Sequence, residues 1–186
     1  MPWKNGGGST IEIAIAPAGA SLDAFDWRIS MAQVATDGPF SSFPGIDRTL
    51  AVIRGDGMEL MIGDQRPVVL GCGTDPLSFP GDTPTTARLL AGEITDLNVM
   101  TRRGRFEHRV VRIMQPMDCR FDGDDIAIVL SLDGTTGVTV SNDHAKLEHA
   151  DAVLIEAHET ATFQIRPAGR CYLIRFSSDR SSATTA

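Results

Sequence analysis

The chain has 186 residues, of which 17 are Lys or Arg and 24 are Asp or Glu, so its formal net charge is −7. A chain of this length fits one large domain or two small ones, and it can bury a core without disulfides or metals. This negative net charge argues against a nucleic-acid-binding protein, which needs a basic surface, and against a protein that docks on anionic membranes.

Short runs of alternating apolar and polar residues predict strands along the whole chain. In chain order they cover residues 11–15, 27–33, 49–53, 58–62, 68–70, 86–90, 94–100, 108–114, 126–132, 138–141, 152–157, 162–165 and 171–176. A single short helix is predicted, over residues 143–150. The turn Gly55-Asp56-Gly57 predicts a hairpin between its flanking strands, because such turns need positive φ.

About a dozen short strands at regular spacing are typical of a β-sandwich or a jelly-roll barrel. The basic stretch from Arg102 to Arg105 is the best internal boundary and predicts two barrels in tandem. We therefore predict an all-β protein with little helix. Its N-terminal domain covers residues 1–103, its C-terminal domain covers 104–178, and a flexible tail follows at 179–186.

The targeting and cysteine signals indicate a cytoplasmic protein. No apolar run reaches the roughly 20 residues of a membrane-spanning helix. The first six residues lack the apolar segment of a secretory signal. Cys72, Cys119 and Cys171 are an odd, widely spaced set, which favours three reduced thiols.

The usual spacing patterns of metal and nucleophile chemistry are absent from the sequence. It has no HxH, HExxH, GxSxG or phosphate-loop motif. His158 alternates with Glu156 on one predicted strand face, with no third ligand apparent nearby. We therefore predict no metal and no cofactor.

Two polar clusters near the N-terminus are unusual for a strand protein. Lys4 and Asn5 precede three glycines, which form either a flexible loop or a close approach of the backbone to a ligand. Arg28 and Ser30 lie on the strand face opposite Trp27. They face solvent in a one-sided sheet, whereas in a barrel with a polar lumen the arginine faces inward and can bind a carboxylate.

A third cluster is the loop over residues 38–48, which holds Phe40, Ser41, Phe43, Asp47 and Arg48. It is either a corner braced by prolines or a rigid lid over a pocket.

The fourth cluster lies on one face of the strand at 94–100. Alternation places Asp96, Asn98, Met100 and Arg102 together, opposite the apolar Leu97. Such a face suits either water or the polar lining of a binding cavity.

Together these segments resemble the HutD/Ves family, the accessory proteins of bacterial histidine-utilisation operons. The resemblance rests on the Pro-Trp-Lys-Asn-Gly-Gly-Gly-Ser-Thr motif from Pro2 with Glu12-Ile13-Ala14, the Trp-Arg-Ile-Ser motif from Trp27, the loop at 38–48, Gly63-Asp64, Phe79-Pro80-Gly81-Asp82, and Asp96-Leu97-Asn98-Val99-Met100 with Arg102. It implies a bicupin, in which two cupin barrels are fused. Since many cupins hold a metal on an HxH motif that is missing here, it also implies a metal-free pocket.

The family resemblance further implies a regulatory protein that binds an intermediate of histidine breakdown such as formylglutamate or urocanate. Lys4, Arg28, Arg48 and Arg102 would supply the positive charge, and Asn5 and Asn98 the amide partners. Asp47 or Asp96 would hold an arginine in place. The other expected ligand contacts are Ser30, Phe40, Ser41, Phe43 and Met100.

Two other functions stay open at this point. One is a metal-independent cupin enzyme acting on a small acid, with Asp96 or Asp47 as general base. The other is a protein-interaction module or a homodimer that uses exposed sheet edges. We expect a small-molecule carboxylate as the main partner, with neither a nucleic acid nor a membrane.

Overall fold

A computed structural model describes residues 8–179 of the chain. Every regular element in this range is a β-strand, and it contains no helix long and apolar enough to cross a membrane. The chain passes from a first compact unit to a second between Arg105 and Phe106. The boundary predicted from the basic stretch lies two residues earlier. Lys4, Asn5 and most of the predicted tail lie outside the described residues.

The described part of the first unit consists of two antiparallel sheets. The larger has the order β1-β2-β9-β4-β7 and the smaller the order β3-β8-β5-β6. The strands are β1 (Gly8–Ala16), β2 (Trp27–Val34), β3 (Gly38–Pro39), β4 (Ile46–Arg54), β5 (Met58–Ile62), β6 (Val68–Leu70), β7 (Leu77–Pro80), β8 (Thr85–Leu89) and β9 (Ile94–Arg102).

The second unit also has two antiparallel sheets, ordered β10-β17-β12-β15 and β11-β16-β13-β14. Its strands are β10 (Phe106–Ile113), β11 (Met117–Arg120), β12 (Ile126–Ser131), β13 (Thr136–Val140), β14 (Asp143–Leu147), β15 (Ala152–Glu156), β16 (Thr162–Pro167) and β17 (Cys171–Ser178).

The two units share one strand order once β1 is set aside. In each, the first, eighth, third and sixth strands form one sheet, and the second, seventh, fourth and fifth form the other. Each unit buries an apolar core between its sheets. In the first unit Leu50 and Val52 meet Met58 and Leu60 of the smaller sheet.

The hairpin predicted at Gly55-Asp56-Gly57 is wrong, because β4 and β5 belong to different sheets. The positive φ was correctly anticipated, at +92° for Gly55 and +111° for Gly57. A Cβ on Gly55 would lie 2.6 Å from the carbonyl oxygen of Glu93. The turn therefore carries the chain from one sheet to the other, and its glycines pack closely against neighbouring backbone. The residues of a turn alone do not specify which strands pair.

The predicted helix at residues 143–150 is also wrong. This segment begins with β14, which pairs with β13 across a two-residue turn in which Ser141 has a φ of 54°. Its first four residues are exposed, so the apolar alternation that marks other strands is missing here. The strands β3, β7 and β11 were missed because they have only two to four residues and lack the run of apolar, mostly β-branched residues by which the equally short β6 is recognised.

Candidate functional site

Three neighbouring strands of the larger sheet of the first unit bring together six of the thirteen predicted ligand contacts. The central strand is β9, which lies between β2 and β4. Arg28 on β2 and Arg48 on β4 are both register partners of Met100. One step along β9, Asn98 lies opposite Ser30 on β2.

The face that carries these side chains is the inner one. It also contributes Leu50, Val52 and Ile94 to the core shared with the smaller sheet. The arginines are buried as well, with Arg28 4% and Arg48 5% exposed. Of the two placements that the sequence left open, solvent or interior, the structure therefore shows the interior.

Arg48 is held from several sides. Its Nε donates to Oδ1 of Asn98 at 3.0 Å, and its guanidinium lies 4.5 Å from the ring centre of Phe40 and 5.9 Å from that of Phe79. Burial lowers the pKa of Arg48 to about 10, opposed by Asp96 and reinforced by Arg28. The group stays a cation at neutral pH. Its two Nη atoms have no hydrogen-bond partner in the described part of the chain, so they are available to a ligand.

Arg28 is oriented by two bonds of its own. Its Nε donates to Oε2 of Glu12 at 2.8 Å, and its Nη1 donates to the hydroxyl of Ser30 at 3.1 Å. Glu12 is on the edge strand β1, in register with Ser30, and is partly exposed. The arginine is thus fixed in direction and keeps donor capacity at Nη2.

Asp96 is the most unusual group on this face. It is fully buried, and neither of its carboxyl oxygens has a hydrogen-bond partner among residues 8–179. Burial raises its pKa to about 7, and the charge of Arg48 opposes that rise. Buried polar atoms are almost always bonded in native structures, so an orphaned carboxyl in the interior calls for an explanation.

This arrangement suits a small anion with polar groups. Guanidinium groups bind carboxylates through paired, charge-assisted hydrogen bonds. Arg28 and Arg48 lie two strands apart, which allows them to engage one or two carboxylates of a small molecule. Asn98 and Asp96 add amide and carboxyl groups along the same strand.

Two predicted site residues have other partners. Arg102 donates from Nε to the carbonyl of Phe25 and from Nη2 to that of Asp23, both at 2.9 Å, so it anchors the loop before β2. Asp47 pairs with Arg103 at 2.8 Å, and both side chains are half exposed. Asp47 therefore does not hold Arg48, because alternation along β4 directs it to the opposite face.

The remaining predicted contacts divide between interior and surface. Met100 is buried against Phe25 and Ile46, and the half-buried Phe43 packs on the same small cluster. Ser41 is exposed.

Glu12 and Phe79 contact the arginines directly, although neither is among the site residues predicted from the sequence. The alternation at 11–15 predicts that Glu12 faces solvent. Phe79 lies in a strand too short to recognise from its pattern. The only signal for either was its place within the motifs that carry the family resemblance.

A group of possible metal ligands lies in the second unit. Glu156, His158 and Glu159 place one ligand atom each within 4.8 Å of one another. The sequence showed no third ligand, because Glu159 directly follows His158 and falls out of the strand alternation. The group is largely exposed, and acidic groups gather on surfaces without any metal.

Comparison with known proteins gives a family match over most of the chain. The family model HutD matches residues 1–173. An uncharacterised 21.2 kDa protein in the hutC 3′ region of Pseudomonas putida is 40% identical over 112 residues, which are 59% of this chain and 57% of the relative. Protein Ves of Citrobacter koseri is 38% identical over 109 residues, 58% of this chain and 56% of the relative. The chain thus matches just over half the length of these curated relatives.

Solved structures match almost the entire chain. HutD from Pseudomonas fluorescens SBW25 has a TM-score of 0.82 and 32% identity, covering 96% of this chain and 92% of that one. A cupin 2 conserved barrel domain protein from Leptotrichia buccalis has a TM-score of 0.57 and 11% identity, covering 92% and 88%. The second likeness concerns the fold alone.

Proposed function

This chain belongs to the HutD family, and we propose that it is a metal-free ligand-binding protein of histidine catabolism whose ligand is a small carboxylate such as formylglutamate or urocanate. The observation that carries the proposal is the pair of buried arginines, Arg28 and Arg48, on the inner face of one sheet with unused N–H donors. Buried cations are costly unless paired. Glu12 pairs with Arg28. Arg48, in contrast, is hydrogen-bonded only to the neutral Asn98 among the described residues, so an anionic ligand would supply its missing partner.

We further infer that the protein is a bicupin. The repeated strand order of the two units supports this, as does the likeness to a cupin barrel domain protein. The polar inner face then corresponds to the interior of the first barrel, between its two sheets.

The chemistry of the proposed ligands fits the polar face. Formylglutamate carries two carboxylates and an amide, and urocanate carries one carboxylate and an imidazole. Hydrogen bonds to charged groups contribute roughly 1.5–3 kcal/mol each. Micromolar affinity corresponds to about 8 kcal/mol, so these bonds together with burial of the ligand's apolar atoms have to exceed the cost of association.

The proposed role in the pathway is regulatory, through binding of an intermediate that would otherwise accumulate. The position of the Pseudomonas putida relative in a hutC 3′ region supports this link. A chain with a net charge of −7 is poorly suited to contact DNA itself, so regulation would act through ligand level. The cytoplasmic location and the homodimer remain predictions.

The test is a thermal-shift and calorimetry panel with formylglutamate, urocanate, histidine, glutamate and Zn²⁺, with and without EDTA. A ligand at 100 times its Kd stabilises the folded protein by about 2.7 kcal/mol, a shift of several degrees. We expect formylglutamate or urocanate to give this shift independently of metal. No shift with any carboxylate would refute the proposal.

Arg28→Ala should then weaken binding of the active compound at least tenfold. Because it also removes the partner of Glu12, affinity is compared at a temperature where the variant is fully folded. The matched control is Arg109→Ala, which removes an exposed arginine from β10 of the second unit and should leave affinity as it is. Unchanged affinity in Arg28→Ala would remove this residue from the site.

A second candidate function is a metal-independent enzyme with Asp96 as general base. The observation that favours it is the pKa of this buried carboxyl, which lies near 7, where a proton acceptor works best. Incubation with formylglutamate and urocanate, followed by NMR, would reveal turnover. If there is none over the whole set of pathway intermediates, the protein is a binder.

A further inference from the structure

The carboxyl group of Asp96 accepts no hydrogen bond from the described residues around it. Its register partners are Ala32 on β2 and Val52 on β4, which have no polar side-chain atoms. The carboxamide oxygen of Asn98, the nearest polar neighbour on β9, already accepts from Arg48. Both oxygens of Asp96 are therefore buried and unbonded in the part of the chain that the structure describes.

The charged groups on this inner face are few and defined. Arg48 lies on β4, Arg28 on β2 and Glu12, which pairs with Arg28, on β1. The smaller sheet contributes mainly apolar side chains to the shared core, among them Met58 and Leu60, and the hydroxyl of its buried Thr85 donates to the carbonyl oxygen of Thr83. A group that bonds to Asp96 must therefore arrive from outside the described residues.

We propose that Asp96 accepts a hydrogen bond from an N–H of the bound ligand, so that the site selects small carboxylates that carry an amide or imidazole N–H. The proposal rests on the proposed function, because it assumes that Arg48 and Arg28 bind the ligand's carboxylate. It adds a second requirement for binding, which is an N–H donor on the ligand at a fixed distance from that carboxylate.

The spacing along β9 sets this distance. Asp96 and Asn98 are two residues apart on one face, about 7 Å at the usual rise of a strand. Asn98 holds the guanidinium of Arg48 by its Nε, so the arginine leans toward Asp96. The donor and the carboxylate of the ligand are thus separated by only a few bonds, as in an N-acyl amino acid or an imidazole acrylate.

The titration behaviour of Asp96 agrees with an acceptor role. With a pKa of about 7, it exists near neutral pH as a mixture of ionised and protonated forms. An N–H donor stabilises the ionised form, so binding should release protons. A ligand that instead accepts a hydrogen bond from the protonated acid would take protons up.

The test compares two matched pairs of ligands on the full chain. Formylglutamate is paired with its ester analogue, in which oxygen replaces the N–H, and urocanate is paired with cinnamate, in which phenyl replaces imidazole. We expect the better-binding N–H compound to bind at least tenfold more tightly than its partner. A site that hydrogen-bonds a donor strongly rejects the analogue lacking it.

Asp96→Leu should abolish this preference, because leucine fills a similar volume without an acceptor. The matched control Asp75→Leu makes the same change at an exposed position of the first unit and should keep the preference. Calorimetry of formylglutamate at pH 7 in two buffers of different ionisation enthalpy should show proton release in the wild type and none in Asp96→Leu. Formylglutamate is chosen because it has no group of its own that titrates near pH 7.

The outcomes separate this inference from the proposed function. If none of the four compounds binds the wild type, the proposed function fails. If both members of each pair bind equally, the function stands and the inference is wrong, since water or the fold alone then satisfies Asp96. Proton uptake, or a preference that survives in Asp96→Leu, also overturns it.

Discussion

The two units share a strand order but differ in what they bury. The core of the second unit consists of apolar side chains and two cysteines, Cys119 and Cys171. Among residues 106–179, the buried polar ones are Ser131 and Thr136, which bond to each other at 3.1 Å. The first unit buries two arginines, an aspartate and an asparagine on the inner face of its larger sheet.

The last strand of each unit shows the difference most clearly. Both β9 and β17 carry an arginine toward their C-terminal end that is satisfied by the protein itself. Arg102 bonds to two backbone carbonyls, and Arg175 bonds to Asp124 at 2.6 Å and to a backbone carbonyl. Nearer its N-terminal end, β9 buries the unbonded Asp96, whereas β17 buries Leu173 in the apolar core.

This contrast shows which unit to test for function. The second unit has the same strand order and an apolar interior, so this fold does not require charged groups in its core. Replacing buried ionic groups by apolar ones of similar volume is often neutral or stabilising. Charged groups that persist in the interior of the first unit therefore point to a ligand rather than to stability.

The largest expected effect is on the pH dependence of stability, through Asp96→Leu. The pKa of this carboxyl rises from 3.8 to about 7 on folding. Between these values the unfolded chain has lost the proton that the folded protein keeps, so stability falls as pH rises through the window. The loss is on the order of 4 kcal/mol, and Asp96→Leu should remove it.

Urea unfolding of the ligand-free protein at pH 5 and pH 8 covers the upper part of this window, about 2.6 kcal/mol of the loss. Wild type should lose stability at the higher pH relative to Asp96→Leu. Equal pH slopes for the two proteins would show that the carboxyl titrates at its ordinary value.

A truncation in the second unit should act on stability alone. Leu173→Ala removes a side chain that is 3% exposed within the apolar core, which typically costs about 2–5 kcal/mol. Ligand affinity, measured by calorimetry at a temperature where the variant is folded, should not change. A loss of affinity would place the second unit in the binding reaction and break the contrast.

Arg48→Met should act in the opposite way. It removes the cation beside Asn98 but keeps an apolar chain of similar length, so we expect affinity to fall about a hundredfold, roughly 2.7 kcal/mol. The melting temperature should change little, because the lost hydrogen bond to Asn98 is opposed by the removal of a buried cation. Arg175→Met is the matched change in the second unit, and it should lower stability, because it leaves Asp124 unpaired, without altering affinity.

The smallest effect concerns the aromatic contact of Arg48. Phe40 lies 4.5 Å from the guanidinium and is half buried, and such a cation–π contact contributes about 0.5–1 kcal/mol. Phe40→Leu should therefore weaken ligand binding by about two- to fivefold. An effect as large as that of Arg48→Met would mean that Phe40 contacts the ligand itself.

Much of the fold was accessible from the sequence because alternation is a local property. The pattern at Trp27-Arg28-Ile29-Ser30 separates the two faces of β2, and the pattern at 94–100 groups Asp96 with Asn98. Both groupings follow from the pleat, which needs no knowledge of the partner strand. The arginines and carboxyl of the inner face were therefore identifiable as a set.

Alternation does not specify which strand pairs with which, or which face of the sheet lies against the core. The sequence did not show that β4 pairs with β9 rather than with β5, so it placed a hairpin where the chain changes sheets. It grouped Asp47 with Arg48 as loop neighbours, although adjacent residues of a strand point to opposite faces. Neither did it reveal Glu12 or Phe79, whose contacts depend on register between strands distant in sequence.

The sequence by itself determined an all-β chain, its family and the residues that share a strand face, because composition, motif order and the two-residue period of a strand are all local. Only the tertiary structure decided that this face is the interior one and that Arg28 and Arg48 flank Met100. It alone revealed that Asp96 is buried without a partner. Burial depends on which sheets pack together, and that is set by the cooperative folding of strands far apart in the chain.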